Sequence, residues 1–159
     1  MAATTMNLEQ VKRFAKDLRT DFPRSPAEPL ADYAIAGRAL DKCRAEIVGW
    51  QGEYHYDCPL SRLFLDFAGI SSEAFKAFVA TGASDDEVAD WLREMAVKRE
   101  RIEILHWSNG WREKRLSELD DRLVLHMEDY VRENLPPGSW CRIYRWFDIY
   151  DIEEKRIPV

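Results

Sequence analysis

Eight consecutive positions, Gly52-Glu53-Tyr54-His55-Tyr56-Asp57-Cys58-Pro59, hold an imidazole, two carboxylates, a thiol and two phenols. Proline suits the first turn of a helix, so Cys58 stands at a helix amino terminus, where the dipole favours thiolate. His55 is a candidate base for that thiol, with Asp57 or Glu53 orienting the imidazole. Strand-like alternation would send His55 and Cys58 to opposite faces. The same residues also have a plain architectural use, in which Asp57 caps the following helix and the tyrosines fill the core. Between these stands ligand binding without chemistry, by Tyr54, His55, Asp57 and Cys58. His55, Asp57 and Cys58 match no recognised metal-ligand spacing, so neither a metal nor another cofactor is expected.

The preceding segment carries a second anomaly. Leu30, Tyr33, Gly37, Leu40 and Ile47 recur at helical spacing and predict a helix over Leu30–Val48, stopped by Gly49. On its wheel Arg44 falls near the centre of the apolar stripe and Asp41 falls inside it. Three residues apart, they can pair along the helix. Charges on an apolar face must be partnered, hydrated or aimed at something. Either Asp41 and Arg44 form a structural pair, or the Arg44 fork holds the carboxylate or phosphate of a small anionic ligand while Asp41 orients it. Lys42, Arg19 and Arg24 are further candidate cations. A ligand would then sit where the proline-containing arm, the Arg44 helix and the His55 loop meet.

These residues must be positioned by a fold that reads as all-α. The chain has 159 residues, 46% hydrophobic and 12% aromatic, enough for one domain over 1–159 with a real core. Residues 1–6 are expected to be flexible. Asn7 and Gln10 resemble a capping box for a helix from about Leu8 to Lys16. Pro23, Pro26 and Pro29 make 17–29 an extended arm, anchored by Leu18 and Phe22. A helix from Pro59 closes at Gly69, one capped by Ser71 or Ser72 ends near Gly82, and Ser84-Asp85-Asp86-Glu87 opens another. Ser108-Asn109-Gly110 argues against a helix there. Asp120 to about Asn134 is helical, ended by Pro136-Pro137-Gly138. The tail around Tyr144, Trp146, Phe147 and Tyr150 fits a helical face or a strand. The expectation is a compact multi-helix bundle.

Composition narrows the function classes. Lys and Arg number 23 against 29 Asp and Glu, a net charge of −6, which disfavours nucleic-acid binding. No apolar run reaches the roughly 20 residues a membrane helix needs. Three cysteines, Cys43, Cys58 and Cys141, and no secretory leader fit reduced thiols in a cytoplasm. No phosphate-binding glycine loop, GxSxG or HExxH occurs, so no familiar enzyme class is indicated. Trp107 and Trp111, with the C-terminal aromatics, offer an alternative function as an interaction or homodimerisation surface.

Several uncommon strings occur together: Asp17-Leu18-Arg19, Phe22-Pro23-Arg24-Ser25-Pro26, Ala39-Leu40-Asp41-Lys42-Cys43-Arg44, the His55 loop through Leu60, Thr81-Gly82-Ala83, Asp86-Glu87-Val88 and Trp146-Phe147-Asp148. In this the chain resembles the bacterial domain-of-unknown-function family 5069, best between Asp17 and Leu92 and less clearly between Lys98 and Asp121. The resemblance implies a free-standing bacterial protein. It carries no activity, cofactor or catalytic residue.

Overall fold

Most helices begin where a side chain can satisfy amide groups that have no acceptor within the helix. The computed structural model describes residues 5–159 and contains, in order, α1 (Leu8–Phe14), α2 (Ala36–Val48), α3 (Pro59–Ala68), α4 (Ser72–Val79), α5 (Asp85–Met95), α6 (Arg101–Arg112), α7 (Asp121–Asn134) and α8 (Trp146–Glu153). The Asn7, Ser71 and Asp120 side chains cap α1, α4 and α7, and Ser84 with Glu87 closes a capping box on α5. Among the described residues there is no strand, only one isolated bridge between Leu30 and Tyr33. The fold is all-α. Of the segment expected to be flexible, residues 1–4 lie outside the described residues. No described helix is long and apolar enough to cross a membrane.

Helix α2 is the central element, with every residue from Ala36 to Ala45 buried. Tyr56, Phe64 and Phe75 pack beside it, Tyr56 stacked on Phe75 at 5.9 Å and Phe64 edge-on to Phe75 at 5.8 Å. The arm is irregular, as expected, with Leu18 and Pro23 buried and Phe22 half-buried. The Leu18 N–H donates to Trp50 O at 2.9 Å, and Pro23 O accepts from Arg156 at 2.9 Å.

Two expectations change. Helix α2 starts at Ala36 rather than Leu30, because Ala31, Asp32 and Ile35 take φ of +50°, +71° and +73°. Distant bonds hold this turn: Ile35 N–H donates to Pro26 O at 2.8 Å and Ala34 N–H to Ser108 Oγ at 2.9 Å. Helix α6 runs straight through Ser108-Asn109-Gly110, since buried Ser108 turns its hydroxyl to Asp32 O at 2.8 Å. The tail resolves as helix, α8. Trp107 stacks on Phe67 at 4.5 Å and Trp111 meets Trp146 edge-on at 5.8 Å. Both tryptophans therefore pack inward, and Tyr144 is the exposed aromatic of the α8 approach.

Gly69 ends α3 at φ +70°, and a Cβ there would stand 2.6 Å from Val97 Cγ2. Val97 is exposed and can move aside, so the left-handed backbone sets the cost. Gly69→Ala is expected to lose about 1–2 kcal/mol of stability by urea denaturation. An unchanged midpoint would contradict it.

Candidate functional site

Helix α2 presents buried charge on two faces. At 3.6 residues per turn Arg38 and Lys42 lie about 40° apart, and Asp41 with Arg44 sits roughly 110° around the axis. All four side chains are at most 4% exposed.

On the first of these faces, Asp41 and Arg44 do not pair with each other. Arg24 reaches Asp41 with its backbone N–H at 2.8 Å and its guanidinium at 3.0 and 3.1 Å. The same guanidinium bonds Asp85 at 2.9 Å, and Arg44 bonds Asp85 at 2.8 Å and Ala83 O at 2.9 Å. The alternating chain Asp41–Arg24–Asp85–Arg44 meets more donors and acceptors than one pair along the helix would, because a buried guanidinium has five N–H groups to satisfy. Burial pushes the Asp85 carboxyl up, but its bonds to Arg44 and Arg24 outweigh this and hold it below its ordinary value. An open depression lies here, where the arm meets α2, and Arg24, Asp41, Arg44 and Asp85 on its lining are spent on one another.

The Arg38–Lys42 face is different. Arg38 grips Glu154 at the end of α8 with two bonds of 2.7 and 2.8 Å. Glu154 also accepts from Tyr54 Oη at 2.8 Å and from Arg156. Arg38 lies 5.1 Å from the Tyr150 ring centroid, and its Nε has no acceptor. Lys42 has no carboxylate within salt-bridge distance among the described residues. Its ammonium donates instead to Cys58 Sγ at 3.0 Å. Burial pushes the Lys42 ammonium down, only partly opposed by Cys58. Burial alone would raise the Cys58 thiol, but the Lys42 charge and hydrogen bond, with the Ser61 N–H, hold it below its ordinary value.

The sulfur caps α3, accepting the Ser61 N–H at 3.4 Å. Asp57, the residue expected to cap this helix, is exposed instead and bonds Arg62 at 2.9 Å and Ser72 Oγ at 3.3 Å. The capping position falls one residue later because Pro59 opens the helix and Cys58 is the extended residue before it.

Beside this pair lies a cavity of about 400 Å³. Arg38, Lys42, Cys58 and Tyr150 are among its polar lining residues. Leu60 and Leu63 of α3, Trp111 of α6, Leu119, Leu123 and Met127 at α7, and Trp146 of α8 form apolar walls. Exposed Glu118, Asp120 and His126 line it too. Trp146 Nε1 is buried without an acceptor.

Of the residues singled out from sequence as ligand contacts, the cavity includes Cys58 and Lys42, and of the aromatics offered as an interaction surface it includes Trp111, Trp146 and Tyr150. Tyr54 stands behind it, orienting Glu154. Asp41 and Arg44 belong to the other face, and exposed His55 and Asp57 do not line the cavity. Arg38 went unmarked by sequence, although it shares with Lys42 the i, i+4 spacing that places both on one face. With His55 turned to solvent, His55→Ala is expected to leave the alkylation rate of Cys58 within about twofold of wild type. A larger fall with iodoacetamide would restore His55 as its base.

Fold and site define a small helical protein with a cavity of ligand size, lined by apolar side chains and by the buried cations Arg38 and Lys42. The chain belongs to the family described as Domain of unknown function (DUF5069), whose sequence model matches residues 20–156. No curated protein matches the chain.

Proposed function

We propose that this protein binds a small organic anion with an apolar body, its carboxylate or similar head directed to Lys42 and Arg38. The observation that carries this is Lys42, an ammonium 4% exposed, facing an apolar cavity with a thiol as its hydrogen-bond partner in place of a carboxylate. An unneutralised buried cation costs stability, and an arriving anion supplies the missing countercharge. Apolar walls with a few convergent polar groups are the usual make-up of a ligand site. The small anionic ligand expected from sequence thus moves from the Asp41–Arg44 face, where charges are mutually satisfied, to the Arg38–Lys42 face. Cys43, Cys58 and Cys141 are free thiols, which supports a reading of the protein as cytoplasmic.

Titration with hexanoate and octanoate, followed by tryptophan fluorescence, to which the lining residues Trp111 and Trp146 contribute, tests the site. Saturable binding is expected, weakened about tenfold or more by Lys42→Met, since a charged hydrogen bond contributes at least that much. Arg44→Met, on the other face, is expected to bind as wild type does. No saturable change with either acid, or equal binding by Lys42→Met, would overturn the proposal.

A further inference from the structure

Three cysteines occupy three environments. Cys43 is sealed in the core, where burial pushes its thiol up, and Cys141 is exposed with no cation bonded to it. Cys58 is half-buried, lines the cavity, caps α3 and lies 3.0 Å from the Lys42 ammonium. Sulfur is a poor helix cap beside serine or aspartate, and lysine is a costly buried neighbour for a thiol. Helix terminus and ammonium act together in one direction, towards thiolate.

The rest of the cavity fits an acyl group. Leu60, Leu63, Leu123 and Met127 can cover a short hydrocarbon chain. The lining residues Arg38 and Trp146 each carry a buried N–H with no acceptor, Nε and Nε1. Buried donors ordinarily have partners, so these two are polar groups that the fold leaves unsatisfied.

We propose that Cys58 and Lys42 are a nucleophile and proton-transfer pair that hydrolyses a thioester or ester of a short apolar acid. This rests on the ligand reading above: with Cys58 protonated the cavity holds the organic anion, and in the thiolate state, where sulfur neutralises Lys42, it meets the uncharged ester or thioester. The thiolate of Cys58 attacks the acyl carbon, the new S–C bond forms, and the bond from carbon to the leaving sulfur or oxygen breaks. The leaving group takes a proton from the Lys42 ammonium, which becomes an amine. Water then attacks the enzyme-bound thioester and gives a proton to the Lys42 amine. The S–C bond breaks, releasing the carboxylic acid and restoring thiolate and ammonium. Pairing a nucleophile with an adjacent proton-transfer group is the general arrangement of covalent catalysis.

The test uses the full chain and the hexanoyl thioester of N-acetylcysteamine. Hexanoate release is followed by chromatography, and acid-quenched protein is digested and weighed. A hexanoyl group on the Cys58 peptide is expected, with turnover falling by about a hundredfold or more in Cys58→Ser and about tenfold or more in Lys42→Met. Serine is itself a good helix cap, so Cys58→Ser is expected to keep the wild-type circular dichroism. In wild type alone, the pH profile of Cys58 alkylation is expected to rise below the ordinary thiol range. A profile in the ordinary range overturns the thiolate. No acyl-protein and no turnover above Cys58→Ser, in a protein that still binds hexanoate, overturns the hydrolysis and leaves the ligand site standing. Failure to bind hexanoate overturns both.

Discussion

Glu154→Gln is expected to destabilise the protein by about 3–5 kcal/mol, the usual cost of removing one partner from a buried ion pair. Arg38 and Glu154 are both at most 4% exposed, and their two bonds are 2.7 and 2.8 Å. Glutamine keeps the shape of the side chain but leaves the guanidinium charge without compensation in the core. Tyr54 and Arg156, which also donate to Glu154, lose a charged acceptor at the same time. In a chain of 159 residues the melting temperature is expected to fall by roughly 10 °C. Urea denaturation reads the change, and a loss below about 1 kcal/mol would mean that another group neutralises Arg38. The double variant Arg38→Met with Glu154→Gln is expected to recover part of the loss, because no unpaired charge remains.

The same pair gives a pH dependence. Burial alone would raise the Glu154 carboxyl, but Arg38 outweighs it and the folded-state value lies below the ordinary 4.5. A carboxyl that holds protons less tightly when folded adds stability in full above its unfolded value, and that stability is lost as pH falls through the folded one. Asp85 shifts in the same direction from 3.8, held down against its burial by Arg44 and Arg24. Wild type is therefore expected to lose stability steeply below about pH 4.5, and Glu154→Gln more gradually.

What could be read from sequence was what the chain decides within a few residues. The caps at Asn7 and Ser84, and the Pro59-to-Gly69 limits of α3, depend on neighbours three or four positions away. The start of α2 was not legible, because Ile35 at φ +73° is held by Pro26 and its neighbour Ala34 by Ser108, 74 positions distant. Helical spacing alone carries Leu30 and Tyr33 into the helix. The place of Asp41 and Arg44 inside an apolar stripe was legible, but their burial was not. Nor were their partners, since Arg24 lies 17 positions from Asp41 and Asp85 lies 41 from Arg44. The helix terminus at Cys58 could be seen, and adjacency in sequence suggested His55 as its base. The cation that sulfur meets is Lys42, 16 residues earlier. Apolar walls from α6, α7 and α8 complete a cavity that no local pattern describes.

Lys42→Met is expected to raise stability by about 1–2 kcal/mol while weakening the ligand site. Methionine matches the length of the lysine stem and suits the apolar walls, and replacing a poorly compensated buried charge by a hydrophobic side chain is often stabilising. Arg38, one turn away, shows the contrast: a carboxylate clamps it through two bonds, so losing its partner is costly. Lys42 has a single bond to sulfur and is desolvated with little return. Two cations on one helix face therefore answer substitution at their contacts in opposite ways. If Lys42 were there for the fold, Lys42→Met would lose more than about 1 kcal/mol, and the case for a ligand at the cavity would lose its support. A more stable variant that no longer binds hexanoate and alkylates slowly at Cys58 would identify the cost of burying Lys42 as a cost carried for function, the trade between stability and activity expected where a site needs an unpaired charge.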